Sequence, residues 1–334
     1  MQSEKPFLAI DSGTTNTRVW LVRAGTVLAK AQVQAGVRDT ARTGSLAFLK
    51  AGIKRAIDQV LQQSGAHLPP FALAAGMITS GLGLLELPHA SAPAGWQDLA
   101  AQVARETFPD LDGLTIYFVR GVRSGPPSYT LAEAPAVDII RGEETEVFGA
   151  LETLSLNGPL LYVHLGSHSK LIHIDAEKRI AGGMTTLTGE LIHAVQAQTI
   201  LSSALPAEGG ERFHMDLVRQ GAEWTAQYGL SRTLFLVRIL EQSRQYSPDQ
   251  LWSVFIGAVA FTDIQALRSS SLAAEQRGQV VLSGRPSWQP VWRSFLEEEG
   301  FSVIVLSPQE METAFLKGLQ RIVFASPLFR QEAG

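Results

Sequence analysis

The feature that most limits what this chain can fold into is a strand–glycine turn–strand unit that occurs twice. Each copy heads the same run of elements. In the first, Phe7–Ile10 is a short apolar run ending at Asp11, Ser12-Gly13-Thr14-Thr15-Asn16 supplies turn chemistry, and Arg18–Val22 reads as the returning strand. Thr26–Val33 is a third strand. Leu46, Leu49, Ile53, Ile57 and Val60 then recur at three- and four-residue steps, the stripe of an amphipathic helix. Leu68-Pro69-Pro70 ends it; Phe71–Met77 reads as a strand, Asp98–Phe108 as a helix and Leu114–Val119 as a strand. The second copy opens with Leu160–Leu165, turns at Gly166-Ser167-His168-Ser169 and returns over Lys170–Ile174, with a third strand leading to Gly182-Gly183. A helical stretch from about residue 190 to 270 follows, then a strand at Gln279–Leu282, a helix near Pro290–Glu299, a strand at Phe301–Leu306 and a helix from Pro308. Without the helical insertion, both halves read three strands, helix, strand, helix, strand. Strands alternating with helices predict an α/β fold whose sheets are covered on both faces. The duplication predicts two domains, residues 1–130 and 131–334, with a cleft between them.

Composition removes several function classes. The 334 residues carry a net charge of −4, which gives no basic field for a nucleic acid. There is no cysteine, so thiolate zinc sites, iron–sulfur clusters and a cysteine nucleophile are excluded. Apolar runs such as Val254–Phe261 fall short of the ~20 residues of a membrane span, and the opening MQSEKPFLAID has no signal architecture. The expectation is a cytoplasmic protein with no nucleic-acid or membrane partner; a homodimer is compatible with this composition. No GxGxxG or GxxxxGK[ST] run is present, which leaves Rossmann and P-loop readings without their main support.

The turns themselves suggest phosphate. Glycine lets backbone approach a ligand, and consecutive turn amides form an anion-binding concavity. Around Gly13, the hydroxyls of Thr14 and Thr15 add donors beside Asn16, Asp11 is the residue type that holds Mg²⁺ next to phosphates, and Arg18 suits a transferred phosphoryl group. A glycine β-turn whose Asp satisfies its own amides would read the same. Gly166, Ser167, His168, Ser169 and Lys170 replace the acid by donors. Late in the chain, Ser283-Gly284 lies between a strand and a helix, where a glycine admits an adenosine against the backbone. Leu236, Ile239, Leu240, Trp252, Phe255 and Phe261 read as core, and Glu297-Glu298-Glu299 as a solvated helix face.

In this order the motifs resemble the sugar-kinase/heat-shock-70/actin superfamily. Within it, DSGTTNTRVWL at 11–21, AGMITSGLG at 75–83, IRGEETEVFGA at 140–150, LGSHSK at 165–170 and LTGEL at 187–191 resemble the 2-dehydro-3-deoxygalactonokinases. The resemblance implies two ribonuclease-H-like halves facing across a nucleotide cleft. It also implies ATP and Mg²⁺ as cofactors and phosphoryl transfer to the terminal hydroxyl of 2-dehydro-3-deoxy-D-galactonate. The catalytic base is then sought in Arg141-Gly142-Glu143-Glu144: Glu143 first and Glu144 second, because neighbours on a helix point about 100° apart and only one can face the cleft. Arg141 is a candidate for clamping that carboxylate or receiving the substrate's. Gly76, Met77, Thr79 and Ser80 would form the sugar-acid loop, and Glu190 would take a sugar hydroxyl. The chain departs from the family where Ser12 replaces a usual Trp, where Gly76–Ser80 replaces Gly-Met-x-Gly-Ser, and where Leu165–His168 replaces Pro-Gly-Thr-His. A kinase for another hydroxyl acceptor, or an actin-like nucleotide sensor without catalysis, are the alternatives.

Overall fold

A computed structural model describes residues 5–270 and 278–333. By compactness it forms two interleaved units. One is Met1–Gly158 with Ile174–Gly183 and Gln309–Gly334; the other is Pro159–His173 with Met184–Pro308. A single break after residue 130 therefore does not coincide with the division, since residues 143–153 and the terminal helices pack in the first unit.

In the first unit the strands are β1 (Phe7–Ser12), β2 (Thr17–Arg23), β3 (Thr26–Val33), β4 (Phe71–Gly76), β5 (Ala90–Ser91), β6 (Ala104–Phe108), β7 (Leu114–Phe118), β8 (Val122–Arg123) and β9 (Ile139–Ile140). Its helices are α1 (Val37–Thr43), α2 (Ala47–Ser64), α3 (Trp96–Ala100) and α4 (Glu143–Thr153). The main sheet has the order β3-β2-β1-β4-β7-β6, and β5, β8 and β9 form a separate small sheet. β1 runs antiparallel to β2 and parallel to β4, and β4 is parallel to β7. The expected stripe of α2 is buried at Leu49, Ile53, Ile57 and Val60 against Leu8, Ile10, Val19 and Leu21 of the sheet.

One expectation here is corrected. The helix foreseen over Asp98–Phe108 stops at Ala100, and Ala104–Phe108 is an edge strand antiparallel to β7. Arg105, Glu106 and Thr107 carry no apolar stripe to hold a helix on the sheet, and Thr107 and Thr115 share a cross-strand hydroxyl bond of 3.0 Å.

The second half of the chain repeats the topology. β10 (Leu160–Leu165), β11 (Ser169–Ile174), β12 (Ile180–Thr186), β13 (Gln279–Gly284) and β14 (Ser302–Val305) form a sheet ordered β12-β11-β10-β13-β14. Third, second, first, fourth, fifth is also the order of the first sheet before β6 is added. β10, β13 and β14 are parallel neighbours. The helical insertion is α5 (Thr188–Gln198), α6 (Met215–Tyr228), α7 (Leu230–Ser243) and α8 (Pro248–Ser269); α9 (Gln289–Glu298) follows β13. α8 is long and apolar enough to cross a membrane, yet 78% of its apolar window is buried inside the protein. Glycines bring it against α6: a Cβ on Gly221 would meet the Val254 carbonyl oxygen at 2.1 Å, and one on Gly257 the Val218 oxygen at 2.0 Å. Trp252 and Phe255 are core as expected, with Leu236, Leu240 and Phe261 partly covered. Ile239 is not core: it lies exposed on α7, because the helix turns Thr233 and Val237 inward instead.

The terminal helices α10 (Pro308–Ala325) and α11 (Pro327–Ala333) return to the first unit. Trp20 packs tilted against Phe315 at 5.4 Å and Phe7 meets Phe324 edge to face at 5.5 Å, closing the sheet face opposite α2. α10 meets α4 backbone to backbone. A Cβ on Gly149 would lie 1.7 Å from the Ala314 oxygen, and one on Gly318 would lie 1.8 Å from the Thr145 oxygen.

Candidate active site

The first turn is built by strand ends. Asp11 and Ser12 close β1 beside Ala75 and Gly76 of β4, and Asp11 sits across from Arg18 on β2. The Arg18 Nε lies 3.7 Å from Asp11 Oδ2, with the guanidinium side chain 55% exposed, so this pair holds the carboxylate loosely. Beneath it, Ser12 Oγ and Thr17 Oγ1 share a 2.9 Å bond, and Thr17 donates to the Ala35 carbonyl at 2.8 Å. The turn is pinned from the far side by α1, whose Val37 and Arg38 amides donate to the Gly13 and Thr14 carbonyls. Gly36 permits this approach, since a Cβ there would come within 2.4 Å of the Thr14 oxygen. Gly13 N–H donates to the Asn16 carbonyl and Asn16 Nδ2 to Thr15 Oγ1, while among the described residues the Thr14 and Thr15 amides donate to no protein group. That pattern is an amide concavity beside a carboxylate.

Gly76 joins this turn to the motif that follows residue 140. It has φ +98, and a Cβ on it would meet the Ser12 oxygen at 2.6 Å and Asp11 Oδ1 at 3.2 Å. On its other side stands Gly142, with φ +114, whose Cβ would lie 3.1 Å from the Gly76 Cα. Helix α4 therefore begins against the end of β4, with both glutamates in its first turn. Glu143 is half-buried, and its Oε2 accepts from the Arg141 amide at 3.2 Å. Glu144 is fully buried: Oε2 accepts from the Gly142 amide at 2.7 Å, and Oε1 has no protein partner. Burial, reinforced by the Glu143 charge, pushes the Glu144 carboxyl up to about 8.

Arg141 turns towards the loop rather than towards either glutamate side chain. Nη1 donates to the Thr79 carbonyl at 2.5 Å and to Thr79 Oγ1 at 2.6 Å. Nη2 donates to the Leu87 carbonyl at 3.2 Å and lies 2.9 Å from the Nε2 of His89. Thr79, expected to bind a sugar hydroxyl, is instead buried, donating to the Gly76 carbonyl and accepting from Arg141. Ser80 is half-buried and bonds to the Met77 carbonyl at 2.7 Å, and Met77 packs partly on the core.

The second turn has its own support. Gly189 opens α5 directly under it, where a Cβ would strike the Gly166 oxygen at 2.1 Å, and the Glu190 amide donates to the Ser167 carbonyl at 2.9 Å. Among the described residues the amides of Gly166, Ser167 and His168 donate to no protein group. Ser169 Oγ is buried without a protein partner, Lys170 Nζ donates to Thr185 Oγ1 at 2.9 Å, and His168 Nε2 stands 3.6 Å from Glu190 Oε1. Next door, Ser283 Oγ pairs with His164 Nδ1 at 3.0 Å, and Gly284, φ +89, lies where a Cβ would meet the Leu165 oxygen at 2.2 Å. Ser283-Gly284 and the second turn thus lie at the ends of adjacent parallel strands.

Against known proteins, the family model for 2-keto-3-deoxy-galactonokinase matches residues 11–322. The chain belongs to the 2-keto-3-deoxy-galactonokinase family. A Rhizobium meliloti (strain 1021) protein named as a 2-dehydro-3-deoxygalactonokinase, DgoK1, is 26% identical over 95% of this chain and 97% of its own length. The Escherichia coli (strain K12) 2-dehydro-3-deoxygalactonokinase is 27% identical over 60% of each chain. In fold, a Sinorhizobium meliloti structure described under the same enzyme name superposes with TM-score 0.74 at 24% identity, covering 96% of both chains. Component A of the Acidaminococcus fermentans (R)-2-hydroxyglutaryl-CoA dehydratase shares the fold at TM-score 0.51 and 17% identity, over 96% of this chain and 99% of that one.

The expected fold, an α/β protein of the actin-like sugar-kinase type, is thereby established, and the protein is an ATP-dependent carbohydrate kinase that acts on a small sugar molecule. A nucleotide sensor without catalysis finds no support in that family.

Some supports of the site escaped the sequence reading. Asp263, buried on α8, accepts from Thr188 Oγ1 at 2.5 Å and from Trp292 Nε1 at 3.1 Å, and so fixes the start of α5 under the second turn. Its burial raises the carboxyl above the usual range. The signal was there: an acid inside the apolar run VFIGAVAFTDIQAL needs a buried partner. Gly36, His89 and the helix α1 left no comparable trace.

Proposed function

We propose that this kinase transfers the γ-phosphoryl group of ATP to the terminal hydroxyl of 2-dehydro-3-deoxy-D-galactonate, giving the 6-phosphate and ADP. The hydroxyl oxygen forms the new bond to phosphorus as the bond to the β-phosphate oxygen breaks, and the hydroxyl proton passes to a base. Glu143 is the base we assign. The observation that carries this is the contrast between the two neighbours: Glu143 is half-buried and reachable, whereas Glu144 is fully buried and held up to about 8. A group protonated at neutral pH and sealed from solvent does not accept a substrate proton.

The remaining roles follow the chemistry of each element. Gly13, Thr14, Thr15, Asn16 and Arg18 bind phosphate oxygens in the first turn; Gly166, Ser167, His168, Ser169 and Lys170 do so in the second, and Ser283 and Gly284 border the adenosine. Gly76, Met77, Thr79 and Ser80 shape the sugar-acid loop, with Arg141 holding Thr79 in place. Glu190 is the hydroxyl ligand of the second unit. Asp11 fits a Mg²⁺ ion by its chemistry: it is a carboxylate at a strand end, beside the turn whose Thr14 and Thr15 amides donate to no protein group among the described residues. Mg²⁺ binds through one or two carboxylates, phosphates and water, and when present it neutralises charge on the phosphates. We place the enzyme in the cytoplasm without a nucleic-acid or membrane partner, a reading supported by the net charge of −4 and the burial of α8.

The test is ADP release across a panel of sugar acids, including the epimeric gluconate acid, and neutral sugars. Turnover led by 2-dehydro-3-deoxygalactonate supports the assignment. Strong turnover of a different acceptor, with none of this acid, refutes the substrate while leaving the fold and the kinase chemistry intact.

A further inference from the structure

We propose that Arg120 receives the carboxylate of the sugar acid and is the residue that selects an acid over a neutral sugar. The proposal rests on the sugar-acid kinase reading above and adds the group that recognises the acid.

Arg120 comes two residues past the end of β7, at the carboxyl end of a parallel set whose other members end in Gly76 and in Asp11-Ser12. Ligands of open α/β sheets gather at those ends. The next residue fixes where this backbone lies. A Cβ on Gly121 would meet the Ile140 oxygen at 2.2 Å, the His89 ring at 2.9 Å and the Arg141 Cβ at 3.2 Å. The backbone beside Arg120 is therefore held against the residue 140–141 backbone and His89, next to the loop that Arg141 holds.

Both cations are half-buried, and their hydrogen-bond partners are neutral. Arg120 donates from Nε to the Gln102 carbonyl at 3.0 Å and from Nη1 to Gln102 Oε1 at 3.3 Å. Arg141 is engaged by Thr79, Leu87 and His89. Among the described residues neither guanidinium has a carboxylate within ion-pair distance; Glu86 and Glu144 act on Arg141 only at longer range. Burial depresses both side chains below the usual arginine range. A desolvated cation whose partners are all neutral is costly, and an anion brought to it relieves the cost.

The two arginines divide the work. Both terminal nitrogens of Arg141 are committed to its loop, so it contributes charge and holds the loop. In Arg120, Nη2 has no protein partner among the described residues, which leaves the outer edge of the fork open. The fork is aimed by a relay: Gln102 Nε2 donates to the Asp98 carbonyl at 3.0 Å, and the Asp98 carboxylate accepts from the Gly95 amide at 2.8 Å. With Nε and Nη1 engaged by Gln102, the guanidinium is fixed in orientation and Nη2 is the nitrogen left to meet a carboxylate oxygen.

The experiment compares the full chain and its variants in steady state, using 2-dehydro-3-deoxygalactonate and the carboxamide of the same sugar. Arg120→Gln is expected to raise the KM for the acid on the order of 10- to 100-fold, as expected for lost bonds to a charged group. The KM for ATP should stay unchanged and the preference for acid over amide should disappear, with Arg120→Lys recovering part of it. An Arg120→Gln enzyme with wild-type melting temperature and wild-type KM for the acid overturns the proposal. If Arg120→Gln does not fold, Arg120→Lys and Gln102→Ala decide: unchanged acid-over-amide selectivity in both overturns it, and a selective loss for the acid supports it. A wild-type enzyme that phosphorylates neither the acid nor its amide overturns the sugar-acid kinase reading itself. Wild-type turnover with indifferent Arg120 variants removes only the role given to Arg120.

Discussion

Replacing Glu144 by Gln should change how the protein's stability depends on pH. The carboxyl is fully buried, one oxygen is unpartnered, and the group moves from 4.5 to about 8. Between those values the folded chain keeps a proton that the unfolded chain has released. Stability is therefore greatest below the unfolded value and falls as pH rises through the window, levelling off above the folded value. At about 1.4 kcal/mol per unit, the loss attributable to this group is on the order of 4–5 kcal/mol. Glutamine keeps an acceptor for the Gly142 amide but buries an NH₂ where Oε1 was, at a cost of about 1–3 kcal/mol that does not vary with pH. The variant should thus be equal or slightly less stable near pH 5 and clearly more stable near pH 9. Thermal melts of both proteins across that range read the effect at about 2–4 °C per kcal/mol for a unit of this size, a crossover of roughly 10 °C. A melting difference that stays constant with pH, or that favours the wild type more as pH rises, would refute the reasoning, because the buried carboxyl would then not be holding its proton.

Glu143→Gln should leave the KM for ATP and the melting temperature near wild type while lowering kcat by about 10²- to 10⁴-fold, the range for a lost general base; ADP-release kinetics check it, and near-wild-type kcat would remove Glu143 from the chemistry. Gly189→Ala should raise the KM for ATP, because the new methyl collides with the Gly166 carbonyl at 2.1 Å and must displace either the turn or the start of α5; an unchanged KM would mean that this turn does not bind nucleotide. Asp263→Asn turns one oxygen into a donor facing the Trp292 or Thr188 donor and should destabilise the protein by about 1–3 kcal/mol, measured by denaturant unfolding, with a stabilised variant as the contrary result.

What the sequence revealed and what it hid follow from where the physical signal resides. Asp11, the glycine turns and the period change at Leu46 are local, and the structure places each in the element expected for it. The segment 98–108 misled because Leu99 and Val103 fit a helical stripe, while the strand that replaces it is stabilised by pairing with residues 114–118, which no local pattern records. α1 was missed because VRDTART has no apolar stripe; what holds it is the capping of Gly36 by Asp39 and its grip on the first turn. Arg141 was legible as a site candidate but not in its direction, which depends on Thr79, Leu87 and His89, remote in sequence. The choice between Glu143 and Glu144 needed burial, which depends on what packs around α4, where helix α10 crosses at Thr145 and Gly149.

That covering helix has a consequence for the protein as a heritable object. At the crossing of α4 and α10, Gly149 lies on the Ala314 carbonyl and Gly318 on the Thr145 carbonyl, too close for even a methyl group on either side. Neither helix can roll or slide without backbone meeting backbone, so the first turn of α4, with its glutamates, is registered to a segment near the end of the chain. Residues 145–149 and 314–318 are free to change only together. A truncation or a fusion that disturbs the last helices would reach the first turn of α4, and with it the glutamate proposed as base, from more than 160 residues away in sequence.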